Sequence, residues 1–137
     1  MKKLLLLFIA MTISSIIYSQ ENPQILDAVI RDYNPLNTGQ CSTRVNASIY
    51  LGSKMEEPYR LMLNIKTTDG RTIYSKTLKP SDFKLISGVY DYNTPELDIS
   101  SFNATKVDMT INTLLQIGFF PIPTGLEEVK RSAFLCN

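Results

Sequence analysis

Ser81 and Lys84, within Ser81-Asp82-Phe83-Lys84, stand at the interval by which one helical turn sets a lysine amine beside a serine hydroxyl. Such a pair would make the serine a nucleophile with the amine as its base. The arrangement needs a stable helical turn, and the strings Ser-Asp-Asn and Lys-Thr-Gly that accompany it in one class of serine enzymes do not occur in the sequence. A capped surface turn, with Ser81 as N-cap after Pro80, accounts for the same four residues.

The sequence has no histidine. That removes the commonest general base, the commonest metal ligand and every His-dependent triad together. Carboxylates remain, but Glu56-Glu57 and Glu127-Glu128 are adjacent in sequence. On a strand each pair would point to opposite faces and could not share a substrate. Asp32-Tyr33-Asn34 and Asp91-Tyr92-Asn93 set two oxygen-bearing side chains two residues apart, a spacing that suits calcium in a loop. Each copy lies shortly before a proline, where Asp and Asn usually bond their own backbone, and no metal site is expected. The reading is of a non-enzymatic binding or envelope-assembly protein with no cofactor. The rival readings are a small secreted hydrolase working through carboxylates, or an enzyme inhibitor that presents a proline-bounded loop.

Met1 to Gln20 pairs Lys2 and Lys3 with an apolar stretch from Leu4 to Ile17, then small or polar residues. That is the layout of a secretory signal peptide. It resembles the leaders of exported Bacteroidetes proteins. The expected division is a leader over residues 1–19 and a single domain over 20–137. Its destination is the periplasm or the medium, with membrane contact not expected after cleavage. The whole chain has a formal charge of +1, and without Lys2 and Lys3 it becomes −1. No Lys/Arg cluster is available to hold nucleic acid. Cys41 and Cys136 are the only cysteines. In an exported chain such a pair is expected to form a disulfide, worth roughly 2–4 kcal/mol across so long a loop. Asn46-Ala47-Ser48 and Asn103-Ala104-Thr105 match the N-glycosylation pattern, which a bacterial leader makes coincidental.

The elements that would position these residues read as strands. From Arg44 to Leu51, Val45, Ala47, Ile49 and Leu51 alternate with Asn46, Ser48 and Tyr50. Tyr59, Leu61, Leu63 and Ile65 continue the pattern, and Asp69-Gly70 marks a hairpin before "RTIYSKTL". Strands are also expected around "ILDAVIRDY", "VYDY" and "ELDIS", from Lys106 through Val107, Met109 and Ile111, and through Leu126, Val129 and Phe134. Seven or eight short antiparallel strands are most economically buried as an all-β, two-sheet sandwich. The spacing of "ELDISSFNATKVDMTINTL" resembles the E and F strands of fibronectin type III and immunoglobulin-like domains, which implies that architecture.

Binding then falls to the surface: an edge strand, a tyrosine face that includes Tyr33 and Tyr92, or the uncharged stretch "LLQIGFFPIPTG". Tyrosines on strands are ordinarily half-buried, but outward ones would suit another protein or a surface glycan. Pro121 and Pro123 confine their segment to a loop or edge, which makes Phe120, Pro121, Ile122 and Pro123 candidate contacts. The alternatives for that loop are a plug over the end of the sandwich and a lipid wedge. Phe119 shares parity with Val107, Met109, Ile111 and Leu115, so an unbroken strand would bury it and turn Phe120 outward.

Overall fold

Alternation builds the core. In β2 (Arg44–Leu51) the side chains of Val45, Ala47, Ile49 and Leu51 share one face and are fully buried. In β3 (Tyr59–Thr67) Tyr59, Leu61, Leu63 and Ile65 do the same, and in β8 (Lys106–Ile117) so do Val107, Met109 and Ile111. Each large side chain buried this way is worth about 1.5–3 kcal/mol over its exposed state. The computed structural model describes residues 23–32, 41–125 and 128–136. The expected leader therefore lies outside the described residues. Among those that are described, no helix is long and apolar enough to cross a membrane.

Two antiparallel sheets enclose this core. One runs in the order β1-β2-β6-β5, from β1 (Ile25–Asp32), β6 (Val89–Asn93) and β5 (Lys84–Ile86), with β7 (Leu97–Asp98) also paired to β2. The other runs β10-β8-β3-β4, from β10 (Val129–Phe134) and β4 (Thr72–Leu78), with β9 (Phe120–Pro123) also paired to β8. The chain crosses between sheets after β2, β4 and β7. Setting β1-β2-β6 against β4-β3-β8-β10 is the Greek-key order of immunoglobulin- and fibronectin-III-like sandwiches. The described residues hold ten strands rather than seven or eight. β5 is too short to show periodicity, and β9 contains the two prolines that argue against a strand.

The β3–β4 hairpin turns at Asp69-Gly70 as expected. Gly70 takes φ 90°, a conformation that glycine adopts without steric cost. The Asp69 carboxylate accepts bonds from the Thr67 hydroxyl and from Arg71 Nε at 2.9 Å. Elsewhere the structure corrects the sequence reading. Ser81 is not an N-cap: Pro80–Asp82 is a single 3-10 turn in which Lys79 holds the cap position and donates its N–H to Asp82 Oδ2 at 2.9 Å. The chain leaves that turn extended at Phe83, so Lys84 begins β5 and no helical turn joins it to Ser81. At the end of β10 it is Leu135 that is buried, whereas Phe134 faces outward beneath the Lys106 ammonium at 5.6 Å.

A disulfide joins Cys41 to Cys136, ninety-five residues apart, with Cα atoms 4.0 Å from each other. The residues beside it carry the bond into the backbone. Ser42 N–H donates to Leu135 O at 2.6 Å, and Leu135 N–H donates to Thr105 O at 2.9 Å. The bridge thus ties the entry to β2 in one sheet to the exit of β10 in the other. Replacing both cysteines by serine is expected to cost roughly 2–4 kcal/mol. Urea unfolding of the two proteins measures it, and iodoacetamide should label no thiol in the folded wild type.

Acidification gives a second expectation. The Thr67 hydroxyl, together with the Arg71 guanidinium, holds the Asp69 carboxyl below its ordinary value of 3.8. The folded pKa is depressed, so the clasp's contribution is complete above the ordinary value and disappears as pH falls through the folded one. An NMR titration of the Thr67 and Gly70 amides should show the turn loosening only below the usual carboxylate range.

Candidate functional site

The uncharged stretch from Leu114 to Gly125 divides into a buried half and an exposed one. Leu114 is buried and Leu115 packs at the margin of the core, while Gln116 N–H donates to Pro58 O at 2.8 Å. That bond fixes the base of the hairpin to the connection between β2 and β3. Beyond it the chain reverses. Ile117 pairs with Phe120 across two turn residues, Gly118 and Phe119, and only Gly118 takes a positive φ, of 62°. A two-residue turn with glycine at its first central position matches the twist of the flanking strands. Gln116 Nε2 reaches forward to Gly118 O at 3.0 Å and secures the tip.

This reversal overturns the expectation that strand parity buries Phe119. β8 ends at Ile117, two residues earlier than an unbroken strand would require. Phe119 is then 96% exposed at the tip and Phe120 73% exposed, with Ile117 at 51% and Ile122 at 44% behind them. Ile117, Phe120 and Ile122 lie on the face of the sheet that carries the core residues of β8, continuing past them. The signal that was missed is Gly118. A glycine just before Phe-Phe, at the end of an alternating run, is a reversal point.

Pro121 and Pro123 sit in β9 opposite Gln116 and Leu114. The Ile117–Phe120 pair closes the turn, so hydrogen-bonded pairs fall at Phe120 and Ile122, and the prolines occupy the positions between. There a backbone N–H would point away from β8. Proline has none, so both residues fit an edge strand without breaking its ladder.

The other candidates separate. Tyr33 lies outside the described residues. Tyr92 is not a surface residue: it is 7% exposed, turned inward from β6, with Phe83 at 6.0 Å between ring centres. Its hydroxyl bonds Tyr74 OH at 2.7 Å, and burial pushes its pKa above the usual tyrosine range. Because Tyr74 is on β4 and Tyr92 on β6, the pair links the two sheets. Tyr59 is buried, Tyr74 and Tyr90 are half-buried against the core, and Tyr50 accepts a bond from Arg31 Nη2 at 2.7 Å. The described tyrosines therefore form no outward platform.

Asp91 and Asn93 belong to a strand rather than a loop, and Asn93 Oδ1 accepts the Ser48 hydroxyl. Arg31 Nη1 donates to that same hydroxyl at 2.7 Å, so one sheet's outer face carries a short polar chain from Arg31 through Ser48 to Asn93. Among the described residues no three His, Cys, Asp or Glu side chains are grouped to hold a metal. Glu57 pairs with Arg60 at 2.7 Å.

No protein-family model and no curated protein matches the chain. Similar solved structures include the chitinase ChiW of Paenibacillus sp. str. FPU-7, a cell-surface-expressed multi-modular enzyme, at 9% identity and a TM-score of 0.41 over 85% of this chain. This chain spans 9% of the ChiW chain. An Arabidopsis thaliana protein solved in solution is similar at 14% identity and a TM-score of 0.39, with 84% of this chain and 82% of that one covered. At such values neither likeness carries an argument about function.

Because the exposed tip contributes little to packing, Phe119→Ala and Phe120→Ala should each change stability by less than about 0.5 kcal/mol. Ile111→Ala, in the core portion of the same strand, should cost about 2–5 kcal/mol. Thermal or urea unfolding of the three variants checks the contrast.

Proposed function

We propose that this chain is an exported, non-enzymatic binding protein of the periplasm or cell exterior whose contact surface is the β8–β9 hairpin. The observation that carries the reading is the exposure of Ile117, Phe119, Phe120 and Ile122 together at the end of one hairpin. Contiguous apolar groups held in water at a rigid position mark interaction surfaces, and a few aromatic anchors commonly supply most of the binding energy. The leader-like first nineteen residues and the disulfide support export, because disulfides persist in oxidising compartments. The partner is another protein or a surface glycan.

Two measurements test this. N-terminal sequencing of the protein recovered from the envelope or medium should find the chain beginning after Ser19 or Gln20. Immobilised wild-type protein and a Phe119→Ser/Phe120→Ser variant are then compared against envelope extract and a glycan array. Loss of the anchors should weaken a specific ligand by about 2 kcal/mol or more, roughly thirty-fold. Identical retention by both proteins would remove the hairpin from the binding surface.

A further inference from the structure

Asp69-Gly70 is the only Asp-Gly pair in the sequence, and no Asn-Gly pair occurs. In such a pair the glycine nitrogen can attack the carboxyl carbon of the preceding side chain, because glycine has no Cβ in the way and moves easily through the backbone angles that the attack needs. The N–Cγ bond forms, the amide proton and a carboxyl oxygen leave as water, and a five-membered succinimide results. Water then reopens the ring at the Asp69 backbone carbonyl, so that the main chain runs on through Cβ and Cγ as isoaspartate. One water is lost and one regained, and no other reactant is needed.

Steric cover does not protect this turn. A Cβ placed on Gly70 would meet no atom within 4 Å, and the Asp69 side chain is 60% exposed. The structure instead holds both reacting groups. Gly70 N–H donates to Thr67 O at 3.0 Å, and the Asp69 carboxylate accepts bonds from the Thr67 hydroxyl and from Arg71 Nε, which reaches its two oxygens at 3.2 and 2.9 Å. Both holders are fixed in turn. Thr67 is buried at the end of β3, and its Oγ1 also accepts the Arg71 N–H at 3.1 Å. Arg71 Nη2 donates to Phe102 O at 2.7 Å, with the guanidinium 5.5 Å from the centre of the Phe102 ring. Bringing the carboxyl carbon onto the Gly70 nitrogen means breaking these bonds together. The Thr67 hydroxyl and Arg71 also hold the carboxyl below its ordinary pKa, and the ionised group is the poorer electrophile.

We propose that Asp69-Gly70 is a latent isoaspartate site that the Thr67–Asp69–Arg71 clasp keeps unreactive in the folded protein. The reaction then proceeds only through molecules whose turn has opened, and its rate is that of the free segment multiplied by the open fraction. Isoaspartate adds one backbone atom inside the turn that joins β3 to β4, so the chemical change also disturbs their register.

The purified full chain, its Thr67→Val and Arg71→Ala variants and a peptide of residues 66–72 are held at neutral pH for several weeks. Isoaspartate at position 69 is then quantified by peptide mapping with electron-transfer fragmentation. The peptide should convert at least about ten-fold faster than the wild-type protein, and each variant at least about three-fold faster than wild type. Ile111→Val separates release of the clasp from loosening of the whole fold, because it weakens the core without touching the turn. Its rate should stay within about two-fold of wild type. Equal rates in peptide and protein would overturn the proposal, since folding would then give no protection. Clasp variants that convert no faster than wild type would assign the protection to the turn's backbone alone and remove the clasp from it. An Ile111→Val rate raised as far as that of the clasp variants would place the reaction in globally unfolded molecules and overturn the proposal as well.

Discussion

The antiparallel register between β3 and β8 is the constraint on which the rest of the molecule depends. It runs from Tyr59 opposite Leu115 to Thr67 opposite Val107 and sets Leu61, Leu63 and Ile65 beside Thr113, Ile111 and Met109 on one face. Because side chains alternate, a slip of one residue would turn that face to water and the polar one to the core. β4 is added on one side of this pair, β10 and β9 on the other, and the second sheet packs across it. The far end of β8 is therefore decided by where its pairing with β3 runs out.

That end is where the exposed apolar surface arises. β3 begins at Tyr59, and Pro58 O takes the N–H of Gln116, so the sheet supports β8 only to about this point. Ile117, Phe120 and Ile122 keep the strand's inward parity but are exposed beyond the covered core. An apolar pattern that continues beyond the core is exposed by geometry, not by a change of composition. Gly118 then reverses the chain, and β9 returns beside β8 as an edge that its prolines make unreceptive to strands.

The two ends of the sandwich are secured by different means. Near Cys41 and Cys136 a covalent bridge and the Ser42–Leu135 hydrogen bond join the sheets. Along the open side Tyr74 and Tyr92 meet hydroxyl to hydroxyl, with Phe83 packed on the second ring. Tyr92 illustrates why a candidate contact can be misplaced. Its residue type suits a surface platform, yet its parity in β6 is inward, and a hydrogen-bond partner from the other sheet makes burial of the hydroxyl tolerable.

The sequence by itself determined the strands whose alternation is long, from Arg44 to Leu51, from Tyr59 to Ile65 and from Val107 to Ile111, because period-two burial is a local pattern written in each segment. It also determined the Asp69-Gly70 reversal, through glycine's freedom at positive φ, and the pairing of Cys41 with Cys136, through the lack of any other cysteine. The likeness of "ELDISSFNATKVDMTINTL" to the E and F strands pointed to the right class of sandwich. Only the tertiary structure decided that Phe119 is exposed, that Tyr92 is buried and that Phe120 to Pro123 form a strand. Gly118 marks the reversal within its own segment, but where the neighbouring strands end and which sheet lies opposite are written in no single segment.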